Sequence, residues 1–112
     1  MKTLSILTAI FLGLFSNTLF AGNFQNGNFV YQGLTAWKTP GVGSLDAGIA
    51  YGYVIGVSDA LDGAIICLPS NVNQGQITDI VYNYLKDNPQ IRQKDGSYLV
   101  ALALKQFFPC KK

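Results

Sequence analysis

Only two cysteines occur in this 112-residue chain, Cys67 in "IICLPS" and Cys110 in "FFPCKK", and the second stands two residues before the end. Two cysteines allow a single intramolecular pairing. A bridge between them would close a loop of about 44 residues, worth on the order of 4 kcal/mol in the chain-entropy model. It would also fasten a C-terminus that otherwise frays. The alternative is a reactive thiol, but the chain contains no histidine to activate one, and a thiol is a nucleophile only once its proton is gone. The sequence therefore favours a structural disulfide, and with it an oxidising compartment.

The N-terminus offers a route to such a compartment. "MKTLSILTAIFLGLFSNTLFAG" carries one basic residue, Lys2, then an apolar run from Leu4 to Phe15, then small residues at Ala21 and Gly22. That is the layout of a cleaved secretory signal over residues 1–21. The run is shorter than the ~20 residues that span a bilayer. Residues 22–112 are then expected to form one domain, small enough for a disulfide staple to matter. Losing Lys2 lowers the formal net charge of +2 by one. So weak a charge gives no electrostatic case for a nucleic acid or an anionic membrane as partner.

The remaining pattern predicts an all-α fold, a bundle of four to five helices. Turn signals at Asn26-Gly27 and Pro40-Gly41-Val42-Gly43 bracket a first helix over Asn28 to Trp37, with apolar Phe29, Val30, Leu34 and Trp37. A second helix starts at Ser44, a good N-cap, with Asp46 in its first turn. Gly48, Gly52 and Gly56 recur along one face of it. Each costs a helix roughly 1 kcal/mol relative to alanine, so the stripe implies close approach by another helix. Ile49, Tyr53, Val57, Ala60 and Leu61 are expected to extend this packing surface.

In the third helix, Asn73 and Gln76 make a capping-box pair. Ile77, Ile80, Val81, Tyr84 and Leu85 form one buried stripe, and Pro89 ends the helix. "SYLVALALKQFF" is apolar almost all round, which predicts a central last helix stopped by Pro109.

Composition excludes most chemistry. There is no histidine and no glutamate, one arginine and six aspartates. Catalytic triads and cysteine–histidine pairs are impossible, and neither a zinc nor a calcium spacing is present, so no metal, cofactor or catalytic residue is expected. Asp59 and Asp62, three residues apart before Gly63, read as solvated helix-end charges. A chain of this kind binds something rather than transforming it. The best candidate surface is the polar link after Leu85, with Asn88, Gln90, Arg92, Gln93 and Lys94 set between two helices. Arg92, the lone arginine, is the expected anchor for a partner's carboxylate or carbonyl. Trp37 in "AWKTPGVG" is a second candidate contact.

Four blocks together resemble the Rap/Tai-type immunity proteins of type VI secretion. They are "GYVIGVSDA" from Gly52, "CLP" from Cys67, "QITDIVYNYLKDNP" from Gln76, and "ALKQFFPC" from Ala103. The resemblance implies a small exported helical protein that binds a peptidoglycan amidase effector and inhibits it by occluding the active-site cleft. It further implies a periplasmic location and a homodimer. Many relatives carry a second cysteine pair joining the first helix to the glycine helix. Here those helices hold none, only residues such as Gln32 and Ala50, which implies a first helix less firmly attached. The competing expectation is a periplasmic acid-stress chaperone. Such a protein needs groups whose protonation loosens the fold, and a chain without histidine or glutamate is poorly supplied with them.

Overall fold

The computed structural model describes residues 24–111, so the signal segment expected over residues 1–21 lies outside it. Four α-helices follow one another: α1 Gly27–Lys38, α2 Leu45–Leu61, α3 Gln74–Asp87 and α4 Gly96–Lys105. One 3₁₀ turn, Pro89–Ile91, lies between α3 and α4, and the described residues contain isolated β-bridges but no strand. The expected all-α bundle is what forms.

The first three helices each begin where a side chain can take up a free backbone N–H. Asn26 Oδ1 accepts from the Phe29 N–H at 3.0 Å, and Ser44 Oγ accepts from the Ala47 N–H at 3.1 Å. The capping box at α3 closes in both directions. Asn73 Oδ1 accepts from the Gln76 N–H at 2.9 Å, and Gln76 Oε1 accepts from the Asn73 N–H at 2.8 Å. Such caps satisfy donors that a helix cannot pair internally. Asn26-Gly27 is thus a helix start rather than a turn. A Cβ on Gly27 would lie 2.4 Å from a Leu99 methyl and 2.7 Å from the Arg92 carbonyl oxygen.

The core is built from one stripe per helix. Val30 and Leu34 come from α1, Val54 from α2, Ile77, Val81 and Leu85 from α3, and Leu99, Val100, Ala103 and Leu104 from α4. Ile66, fully buried, closes the end beside the disulfide. In α3 the stripe falls as the spacing predicts, with Ile80 and Tyr84 half-buried at its edges. The last helix is central as expected but shorter, ending at Lys105. Its final residues peel away so that the Phe108 carbonyl accepts from the Cys67 N–H at 2.9 Å. Cys67 and Cys110 are bonded, with their Cα atoms 4.9 Å apart.

The glycine stripe of α2 is the main correction. Among the described residues it packs against nothing: a Cβ at Gly48, Gly52 or Gly56 would meet no atom within 4 Å. The buried line is Ala47, Ala50, Val54 and Ser58 instead, whereas Ile49 and Ala60 are exposed and Tyr53, Val57 and Leu61 only half-buried. Close helix approach does occur, but at Gly33 of α1. A Cβ there would stand 2.2 Å from Ala50 Cβ and 2.9 Å from the Asp46 carbonyl oxygen. Small residues therefore line α2 where α1 presses against it. The first helix is seated by this contact, although neither helix carries a cysteine.

Gly33→Val drives two methyls into that contact, and overpacking of this kind costs typically 1–3 kcal/mol. We expect urea unfolding to show a loss of about 2 kcal/mol or more. Asn73→Ala, which removes one half of the capping box, should cost about 1 kcal/mol. An unchanged midpoint for Gly33→Val would contradict the close approach of α1 and α2.

Candidate functional site

The polar link between α3 and α4 owes its shape to contacts at both ends. At the end of α3, Asn88 Nδ2 donates to the Tyr84 carbonyl at 2.8 Å, so the residue that stops the helix also satisfies one of its last acceptors. Pro89 then opens the 3₁₀ turn, where its missing N–H costs nothing. Beyond the turn, the link's own carbonyls cap α1. Arg92 O accepts from the Asn28 N–H at 2.8 Å, and Lys94 O accepts from the Gly27 N–H at 2.9 Å. The Gln25 carbonyl in turn accepts from the Gly96 N–H at 2.8 Å, at the first residue of α4. Three helices meet on these few residues.

Arg92 is placed differently from the free anchor that its uniqueness suggested. Its Nε donates to the Leu85 carbonyl at 2.7 Å and its Nη2 to the Lys86 carbonyl at 3.2 Å, both at the C-terminal turn of α3. A cation there complements the negative end of the helix dipole. The guanidinium also lies 3.7 Å from the centroid of the Tyr31 ring on α1, a cation–π arrangement. Arg92 thus holds α1, α3 and the link together, and its side chain is half-buried. Asn88 is likewise engaged in the fold. Gln90, Gln93 and Lys94 are the members of the expected set that remain exposed, with Gln90 Nε2 at 3.4 Å from Asn88 Oδ1 and Lys94 Nζ 5.8 Å from the Tyr98 ring centroid.

Beside the link, Tyr84 lines a shallow cavity with Asn88 and Phe107. Burial pushes its phenol above the ordinary value, and the nearby Tyr98 phenol adds to the rise. The group is therefore a neutral hydrogen-bonding hydroxyl throughout the physiological range. Among the described residues no cluster of His, Cys, Asp or Glu could hold a metal. No helix of the described residues is long and apolar enough to cross a membrane.

Of the aspartates near the end of α2, Asp59 is exposed and Asp62 shapes the turn. Asp62 Oδ1 accepts from the Leu68 N–H at 2.9 Å, and Gly63 takes the positive φ of 86° that reverses the chain. Trp37, the second candidate, is half exposed at 51% and lies across the Tyr51 ring with centroids 4.3 Å apart. What the sequence does not signal is the role of the tyrosines. Tyr31 stacks on Tyr82 at 5.6 Å and 10°, and Lys38 lies over the other end of that pair, 5.1 Å from the Tyr82 ring. Helical periodicity marks these residues only as boundary positions.

The family model of the Rap1a immunity proteins matches residues 26–110, and the chain belongs to that family. No curated protein matches it.

Removing the Arg92 side chain leaves the Leu85 and Lys86 carbonyls without their charged donor, and bonds to charged groups are worth about 1.5–3 kcal/mol. Arg92→Ala should therefore lower the unfolding free energy by about 2 kcal/mol. Gln93→Ala and Lys94→Ala, whose side chains point to solvent, should stay within about 0.5 kcal/mol of the wild type. A stable Arg92→Ala protein would show that the arginine does not hold the link.

Proposed function

We propose that this protein is an exported immunity protein that binds a type VI peptidoglycan amidase effector and inhibits it by covering the active-site cleft with the polar link. The observation that carries the reading is the fixed shape of that link within a member of the Rap1a immunity family. Residues 90, 93 and 94 present side chains from a backbone already bonded to α1, α3 and α4. An inhibitor gains affinity when little ordering remains to be done on binding. Amide and ammonium groups suit a cleft built to hold a polar peptide. Cleavage after Ala21 would deliver the protein to the periplasm, where the Cys67–Cys110 bond persists.

The protein acts as a homodimer in this reading. The outer face of α2 supports it: Gly48, Gly52 and Gly56 are open, beside Leu45 at 79% and Ile49 at 42% exposure. An apolar, small-residue face of this kind lets a second helix approach closely.

The test titrates the mature protein, from Gly22 onward with its disulfide formed, into peptidoglycan digestion by type VI amidases, beginning with any encoded beside it. Inhibition should saturate near one-to-one stoichiometry and weaken at least tenfold when Gln90, Gln93 and Lys94 are all changed to alanine, since a single hot-spot residue at an interface carries about 2 kcal/mol or more. Digestion that proceeds unchanged at equimolar protein would refute the role. In light scattering, Gly52→Leu should be a folded monomer, because a Cβ there meets no atom of the described residues within 4 Å. A Gly52→Leu protein that remains dimeric would remove α2 from the interface.

A further inference from the structure

At the end of α1 remote from the polar link, a groove of about 340 Å³ opens between α1, α2 and α3. Trp37, Tyr51 and Leu34 give it apolar walls, and Lys38, Thr78 and Asp79 give it a polar mouth. Its chemistry is unlike that of a core gap. The lone tryptophan of the chain is half exposed there, held against Tyr51, and exposed tryptophan and tyrosine are the residues that most often anchor protein partners. The Lys38 ammonium and the Asp79 carboxylate are paired across the mouth, both still open to solvent. Their charges cancel, so the groove offers no net charge to an ionic ligand. Its volume is at the low end for binding pockets, which suits one or two side chains rather than a folded segment.

The groove lies on the same side of the bundle as the link. From the Lys38 ammonium the surface runs over the Tyr82 ring to the Tyr31 ring stacked on it, and from there to the Arg92 guanidinium. All three of Tyr31, Tyr82 and Arg92 are half exposed. The two ends are separated by the length of α1, about 18 Å for a helix of this size. A partner covering ~800 Å² on its side of a standard interface reaches both. Rings fixed in stacks lose little freedom when covered, which favours a contact surface.

We propose that the Trp37–Tyr51 groove is a second anchor for the effector, taking an uncharged apolar side chain of that protein while the polar link occupies its cleft. The proposal rests on the immunity reading above. It gives the interface a part that does not depend on the catalytic cleft, and so a basis for telling one amidase from another.

The lone tryptophan allows a test without any substitution. The mature protein is labelled with 5-fluorotryptophan, which yields a single ¹⁹F resonance from Trp37, and is titrated with the amidase it inhibits. The resonance should shift and lose its solvent isotope effect as the complex forms. Trp37→Ala and Tyr51→Ala should weaken binding at least tenfold, while the triple alanine link variant should still perturb the resonance at high amidase concentration. A resonance unmoved in a saturated complex overturns the groove and leaves the immunity reading intact. A resonance that moves with the concentration of the Gly52→Leu protein, whose α2 face is blocked, without amidase, assigns the groove to a second copy and overturns the proposal. Absence of binding to every amidase overturns both readings.

Discussion

Arg92 sits where every other part of the bundle has to agree. Its guanidinium bonds the last carbonyls of α3 and covers a tyrosine of α1, while its own carbonyl caps the start of α1. One residue therefore fixes the crossing of two helices and the path of the chain between α3 and α4. The cation is well matched to that place, because the C-terminal end of a helix carries partial negative charge and unpaired acceptors. Lysine could not do the same work, since only the planar fork reaches two carbonyls while stacking on a ring. The rigidity of the polar link follows from this geometry.

The disulfide is the second fastening. Cys110 is joined to Cys67, the neighbouring Ile66 is fully buried, and the Cys67 N–H is bonded to the Phe108 carbonyl. The C-terminal residues are thereby bound to the segment that follows α2. The two fastenings divide the labour: the covalent one holds the chain's end, and the electrostatic one holds the surface offered to a partner. Between them, α1 and α2 press together through Gly33 and Ala50. That contact seats α1 on the inner face of α2, and it leaves the outer face of α2 uncommitted among the described residues.

Much of this architecture is legible in the sequence. The Asn73–Gln76 capping box, the Ile77–Val81–Leu85 stripe and the cysteine pairing are local or combinatorial signals, and each falls where the sequence puts it. The glycines misled for a physical reason. A stripe of small residues implies close approach but not which face is approached, and α2 is apolar enough on all sides to bury either. The distinction depended on Gly33, a single glycine in another helix. Arg92 stands out by its uniqueness, but its role in the fold is not legible, because a sequence does not show which carbonyls lie within reach seven residues earlier. The tyrosine stack between α1 and α3 left no periodic trace at all.

The most direct measurement is amide hydrogen exchange on the free mature protein, read at Gly27, Asn28 and Gly96. Their N–H groups are bonded to Lys94, Arg92 and Gln25 respectively. A link held in place before any partner arrives predicts protection at these amides close to that of the core of α3, and its loss in Arg92→Ala. Exchange at the rate of an open peptide in the wild-type protein would contradict a preformed link, and with it the claim that this surface is ready-made for an effector.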